Sequence, residues 1–398
     1  MAVYPGLINT HHHLYQILTR NLPKVQNLEL FDWLTALYGI WARLTEQGVY
    51  HSSLAGMGEL AKYGCTTVFD HHYVFPQNSK GFLAAQFQAA EDIGVRFAAS
   101  RGSMSLSRKD GGLPPDCVVQ TVDAILRESR DAVETYHDGK PFSMRQVVLA
   151  PCSPFSVTED LMRQTAILAR ALGVRLHTHL AETRDEEAFV LQKTGMRPLA
   201  YMETLGWLGE DVWFAHGIHF TQEELHTLAA TGTGVAHCPA SNMKLSSGTA
   251  RLPDMLRLQV PVGLAVDGSA SNDGSNLMEE MRIAYLLHRH ESAANAPSGY
   301  ELLKVATCGG ARLLGRSELG YLGVGMAGDL FAVKETRLEL AGATEDVGSM
   351  LATVGLGGPV DYTVANGRVI VENGRLRRVD EEAVCKQCNE DARKMQLA

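Results

Sequence analysis

Val3-Tyr4-Pro5-Gly6-Leu7-Ile8-Asn9-Thr10-His11-His12-His13 opens the chain after two residues. A short apolar run leads straight into three histidines. In a strand, residues i and i+2 face the same side, so His11 and His13 are expected to point together from the strand's end. Seven runs of the same kind follow the first, Val3–Ile8: Cys65–Phe69, Val95–Ala99, Gln146–Ala150, Val174–His177, Val212–Ala215, Gly234–Ala236 and Val262–Val266. Helical spacing fills the intervals, as in Glu159–Leu172 and Gln222–Ala230. Thr158 precedes an acidic first turn and Gly173 follows the last apolar residue, an N-cap and a C-cap signal. Eight strands alternating with helices predict an α/β fold with a parallel sheet, and eight is the number that closes a (β/α)8 TIM-type barrel. An open doubly wound sheet is the alternative. It often carries a glycine-rich phosphate loop after its first strand, and the chain has neither such motif.

The pattern changes after residue 325. A turn cluster, Gly325-Met326-Ala327-Gly328-Asp329, leads to short strands at Leu330–Val333, Tyr362–Ala365 and Arg368–Val371. Asn366-Gly367 between the last two is a two-residue hairpin signal. Residues 380–398 are charged and helical in character. The expected organisation is a barrel over 1–325 and, over 326–398, a small β appendage with a C-terminal helix.

Composition narrows the function. The 398 residues are 45% hydrophobic and 20% charged, so the chain is expected to fold around a sizeable core. A net charge of −9 disfavours nucleic acid as a partner. No apolar run reaches the roughly 18 residues of a membrane span, and the first residues lack the charged and apolar regions of a signal peptide. The seven cysteines form no framework, and the expectation is a reduced, cytoplasmic protein. Cys385-Lys386-Gln387-Cys388 stands alone, without a second pair, and reads as two helical cysteines rather than half a zinc site.

The chemistry lies in the 15 histidines, through their placement. His11 and His13 end the first strand. His177-Thr178-His179-Leu180-Ala181-Glu182 ends the fifth, where a carboxylate three residues past His179 can shuttle protons without being a ligand. His216 ends the sixth strand, and Asp267 ends the eighth with a hard anionic oxygen. All five side chains thus fall at the C-terminal ends of predicted barrel strands, where barrel chemistry resides. His12, His71, His72, His177 and His237 lie near strand ends too, and satisfied structural histidines are the default for them.

These motifs, together with Gly64-Cys65-Thr66-Thr67-Val68-Phe69-Asp70, His179-Leu180-Ala181-Glu182-Thr183 and His237-Cys238-Pro239-Ala240-Ser241-Asn242, resemble the amidohydrolase superfamily in its mononuclear, metal-dependent deaminase branch. The resemblance implies one divalent metal, zinc or iron(II), held by His11, His13, His179 and Asp267. It makes Glu182 the proton shuttle and gives His216 and Asp267 the activation of water. Binuclear members carry a bridging lysine on strand 4, whereas Gln146-Val147-Val148-Leu149-Ala150 has none. Two departures stand out. Asn9 replaces the usual Asp. Members also usually carry further residues before the first strand, so the N-terminal strands of a β-sandwich are expected to be missing here, leaving the C-terminal strands with an exposed edge that reflects a truncation, a misassigned start or a homo-oligomer that covers it.

His13-Leu14-Tyr15-Gln16, Leu18-Thr19-Arg20 and Leu30-Phe31-Asp32-Trp33-Leu34-Thr35-Ala36-Leu37-Tyr38 look like the subgroup that deaminates 8-oxoguanine. Similar enzymes act on isoxanthopterin, guanine or hydroxylated triazines, all flat heterocyclic bases. Gln16 can donate and accept along a lactam edge. Trp33 can lie over a ring. Cys152 stands where nucleoside-type relatives carry histidine, which favours a free base. Arg101 either reaches a substrate carbonyl or makes a structural ion pair, and His219 is a further mouth residue. The rival readings are a hydrolase of amide or chlorinated-triazine substrates and a catalytically silent binding barrel. The silent barrel is the weaker of the two, because every expected ligand and Glu182 are present.

Overall fold

The computed structural model describes residues 1–77 and 79–397. Eight strands form one parallel sheet in the order of the chain: Leu7–Asn9, Cys65–Asp70, Arg96–Ser103, Arg145–Pro151, Leu176–Leu180, Val212–His216, Gly234–His237 and Val262–Leu264. The first and last approach each other where the Thr10 N–H and hydroxyl both donate to Leu264 O, at 3.2 and 3.0 Å. Beyond that point two short strands, His12–His13 and Asp267–Gly268, pair in parallel and complete the closure. The sheet is a (β/α)8 barrel.

Local signals explain the helices. Glu159–Leu172 begins where the Thr158 hydroxyl accepts from Leu161 N, and it ends at Gly173 in the left-handed conformation, φ +69°. The C-terminal helix spans Glu381–Leu397, with Cys388 buried against His51 O and Cys385 exposed. Among the described residues, no helix is long and apolar enough to cross a membrane.

The first predicted strand is in fact two. Ala2–Pro5 leaves the barrel and pairs antiparallel with Leu330–Val333. Tyr362–Ala365, Arg368–Glu372 and Arg375–Leu376 extend this second, five-stranded sheet. Asn366 and Gly367 make the expected hairpin turn, both with positive φ. The expectation that the C-terminal strands would lack an N-terminal partner is therefore corrected, since Ala2–Pro5 supplies one. The break falls at Pro5-Gly6 because Gly6 crosses over the next barrel strand. A Cβ there would lie 2.1 Å from Thr66 Oγ1.

An apolar plug fills the lower barrel. Ile8, Phe69, Ala98, Val148, Trp213, Ala236 and Ala265, one from each of seven strands or their ends, pack together there. The plug forces the polar strand ends upward, toward the mouth.

One buried ion pair ties barrel to second sheet. Arg96, at the start of the third barrel strand, donates to both oxygens of Asp329 at 3.3 and 3.2 Å. Asp329 also accepts from Asn366 N at 2.6 Å, and its carbonyl accepts from Gly6 N at 3.0 Å. Asp329→Ala leaves a buried guanidinium uncompensated, and it is expected to lower the unfolding free energy by about 3–5 kcal/mol in chemical denaturation. A loss below about 1 kcal/mol, typical of an exposed pair, would show that the junction is held elsewhere.

Candidate active site

The histidines converge because His13, His179 and His216 are the last or next-to-last residues of strands, and His11 lies between Leu7–Asn9 and His12–His13, where the barrel points them to one mouth. His13 Nε2 lies 3.2 Å from His179 Nε2, and Asp267 Oδ1 lies 3.3 Å from both His11 Nε2 and His13 Nε2. Ring nitrogens of His11, His13, His71 and His179 all fall within 4.8 Å of one another, as do the donor atoms of His11, His216 and Asp267.

Each ring's outer nitrogen has a fixed partner, and this sets the inner one. His13 Nδ1 donates to His71 O at 2.7 Å and His179 Nδ1 to Cys152 O at 2.6 Å. His177 Nδ1 donates to Trp213 O at 2.9 Å, so its Nε2 accepts from His11 Nδ1 at 2.8 Å. His11, His13 and His179 therefore all turn bare Nε2 lone pairs toward one point. Burial disfavours the charged form of two of them: it pushes His11 down to about 3 and His179 well below the ordinary range.

Two imidazole lone pairs 3.2 Å apart repel, and His11 Nε2 is buried with no hydrogen-bond partner. A cation at the focus satisfies all of these atoms at once. Three neutral imidazoles and a carboxylate are the donors that one divalent ion takes, and the nitrogen-rich set suits zinc.

Glu182 is buried beside this focus. Its Oε2 is 3.6 Å from His216 Nε2, and burial, reinforced by Asp267, pushes its carboxyl up to about 8. His216 Nδ1 is held by Asn242 Oδ1 at 2.9 Å, which leaves Nε2 for the site. Asp267 Oδ2 accepts from the hydroxyls of Ser241 at 2.5 Å and Ser271 at 3.3 Å. The backbone is strained at these residues. Ala181, His216 and Asp267 have φ of +55°, +73° and +61°, where a non-glycine residue costs about 1–3 kcal/mol.

A narrow cavity above the focus is lined by His13, Gln16, Trp33, Cys152, His179, Glu182, His216 and Asp267, which brings three of the five expected substrate contacts to the metal residues. Gln16 Oε1 accepts from Ala270 N, and the amide lies flat on Gly268, where a Cβ would sit 1.9 Å from it. The other two expected contacts lie outside this lining. Arg101 is turned away, its guanidinium over the Phe75 ring at 4.0 Å and bonded to Glu128 at 2.7 Å and Gln120 at 2.6 Å. Side chains alternate along its strand, and Arg101 faces the surrounding helices, so its structural ion pair is the reading that holds. His219 is half-buried and held by Ser247 O at 3.0 Å. It lies past the turn that follows His216.

Sequence reasoning missed Tyr73, Phe155 and Ser271, which also line it, with Leu30, Leu34 and Leu245. It also took His71 as structural. His71 Nε2 donates to Ala150 O at 2.9 Å, and its bare Nδ1 belongs to the histidine cluster, the ring stacked on His179 at 4.8 Å. Its place after the second strand, Cys65–Asp70, was the available signal.

Comparison with known proteins agrees with this geometry. The amidohydrolase family matches residues 2–370. An 8-oxoguanine deaminase of Pseudomonas aeruginosa is 44% identical over 383 residues, covering 96% of this chain and 85% of that protein. A hydroxydechloroatrazine ethylaminohydrolase of Pseudomonas sp. strain ADP is 44% identical over 387 residues, covering 96% and 80%. Atrazine chlorohydrolase TrzN from Arthrobacter aurescens TC1, complexed with zinc, superposes with a TM-score of 0.94 at 33% identity over 98% of this chain and 88% of its own. The barrel, the inward lone pairs and a match over most of its length lead to one assignment: the chain belongs to the amidohydrolase family and is a hydrolase of C–N bonds built around one divalent metal ion, zinc by its donors.

Proposed function

We propose that the protein hydrolytically deaminates a flat, aminated oxo-heterocycle, with 8-oxoguanine as the first substrate to consider and urate and ammonia as its products. The observation that carries this reading is Glu182, a carboxyl kept neutral by burial beside His216 and Asp267. A proton donor at neutral pH is what an amino group needs in order to leave as ammonia.

His11, His13, His179 and Asp267 would hold the ion. When bound, it supplies Lewis-acid activation of water near neutral pH. The chain's own residues do the rest. Asp267 and His216 orient the attacking water and take up its proton. Glu182 gives its proton to the ring nitrogen next to the amino-bearing carbon, which makes that carbon electrophilic. The water oxygen bonds to the carbon, its remaining proton passes through the ionised Glu182 to the amino nitrogen, the C–N bond breaks as the carbonyl forms and ammonia leaves, and the proton taken up by Asp267 and His216 restores Glu182. Gln16 addresses the lactam edge, and Trp33 and Cys152 line the ring's surroundings. Relatives of equal identity named for an oxopurine and an alkylaminotriazine support a second reading, hydrolysis of a hydroxytriazine amine. An isoxanthopterin deaminase, 37% identical, keeps the fused-ring class in view.

Glu182→Gln is expected to lower kcat by about 10²–10⁴ while zinc per chain stays unchanged. Near-normal turnover in that variant would remove Glu182 from the mechanism. His11→Ala is expected to lose both metal and activity, and chelation followed by zinc should abolish and then restore wild-type turnover. Metal analysis that found no ion in active protein would contradict the donor-set argument. Ammonia release from 8-oxoguanine, guanine, isoxanthopterin and a hydroxytriazine identifies the substrate. No ammonia from any of them would sink the deaminase reading.

A further inference from the structure

The segments that carry His11 and Asp267 are neighbours round the barrel, yet the strands leading into them share no ladder. Among the described residues the parallel sheet runs from Leu7–Asn9 the long way round to Val262–Leu264, and no strand pairing bridges those two. The resulting seam lies just before two of the metal residues. Thr10 crosses it, donating from its N–H and its hydroxyl to Leu264 O. So does one side chain that the proposed chemistry does not use, Asn9.

Asn9 is fully buried. Its Oδ1 accepts from Val266 N at 3.0 Å across the seam, and its Nδ2 donates to His11 O at 3.1 Å. One partner is a metal residue and the other directly precedes one. His11 O also accepts from Asp267 N at 3.1 Å, so Asn9, Val266, Asp267 and His11 form one closed circuit of bonds. Val266 O is taken by Asn272 Nδ2 at 2.6 Å, which fixes both backbone groups of Val266. From that footing Asp267 turns through φ +61° and brings Oδ1 to 3.3 Å from His11 Nε2.

The partners dictate the residue. One is a backbone N–H and the other a carbonyl, so the side chain between them needs an acceptor and a donor on one short stem, as an amide has. With no water in reach, neither bond has a substitute. A carboxylate, the residue more usual at this place, keeps the oxygen for Val266 N and loses only the donor to His11 O. Asn9 is absent from the cavity lining, so it acts through its neighbours. We propose that Asn9 is a positioning residue, whose amide sets the spacing of His11 and Asp267 across the seam and thereby the grip on the metal and the aim of Asp267 at water. The inference rests on the metal site and on the role proposed above for Asp267.

The test compares three variants of the full protein. Asn9→Leu keeps the size and removes both bonds. Asn9→Asp keeps the acceptor for Val266 N. Thr10→Val removes only the hydroxyl bond at the same seam. The readouts are zinc affinity by competition with a chelator, Tm, and kcat and KM of the zinc-saturated enzyme on the substrate that releases ammonia. Asn9→Leu is expected to weaken zinc binding about 10–100-fold and to lower kcat at least about tenfold, with KM near the wild-type value because Gln16 and Trp33 are untouched. Asn9→Asp is expected to recover most of both losses, and Thr10→Val to lower Tm alone. An Asn9→Leu protein with lower Tm but wild-type zinc affinity and kcat would overturn the proposal. So would a Thr10→Val protein that loses as much zinc affinity, because the strength of the seam would then govern the ligands. Asn9→Asp no better than Asn9→Leu would overturn the part given to the Val266 contact. Should Asn9→Leu not fold, Asn9→Ser, too short to reach both partners, is read by the same criteria. If no substrate releases ammonia, the deaminase reading falls, while zinc affinity and Tm still judge Asn9.

Discussion

Everything at the mouth of the barrel depends on one electrostatic constraint: neutral imidazoles crowded so closely that their lone pairs face each other. His13 Nε2 and His179 Nε2 at 3.2 Å cannot satisfy each other, because both outer nitrogens already donate to carbonyls. Protonating His179 is opposed by burial. The arrangement is stable with a cation between the rings and strained without one. The fold pays for this pocket before any substrate arrives, which is how a preorganised metal site differs from a chance cluster of histidines.

The loops that follow the strands share that cost. Glu280, on the helix Leu277–Ser292, accepts from Ala240 N at 3.2 Å and from Asn272 Nδ2 at 2.6 Å, and Asn272 also donates to Val266 O. One carboxyl thus joins the short helix bearing Ser241 and Asn242 to the turn bearing Asp267. Ser241 then reaches Asp267 and Asn242 reaches His216. Positive φ at His216 and Asp267 persists because both ends of these turns are bonded down. On the other side, Asp70 accepts from Leu14 N at 2.6 Å and fixes the turn after His13.

Much of this was legible in the sequence, for a physical reason. Parallel barrel strands are buried on both faces and read as short apolar runs, so all eight were visible, and the polar residues ending them had to be at the mouth. His11, His13, His179, Glu182, His216 and Asp267 were found that way. The split of the first strand was not, because nothing in Val3–Ile8 tells which edge each half will pair with, although Pro5-Gly6 marked where a chain can turn. His71 was hidden by its neighbour: His71 and His72 both follow the strand Cys65–Asp70, and only the packing decides that one ring stacks on His179 while the other bonds Val74 O. Arg101 left two readings open, a substrate carbonyl or a structural ion pair, and packing decides between them. Its position near a strand end suggested the mouth, but the side chain alternates to the outer face and finds Glu128.

The state of Glu182 follows from how the chain leaves the fifth strand. Glu186, two residues into the helix Arg184–Thr194, is itself fully buried and accepts from Ala181 N at 2.8 Å and Glu182 N at 2.9 Å. It ties down this stretch of backbone and holds Ala181 in its left-handed turn. Glu182 is left with burial, a nearby Asp267 and no N–H of its own to bond, and each of these favours the protonated form. The setting of Glu182 is specified as much by the Ala181–Glu186 turn as by the carboxyl itself.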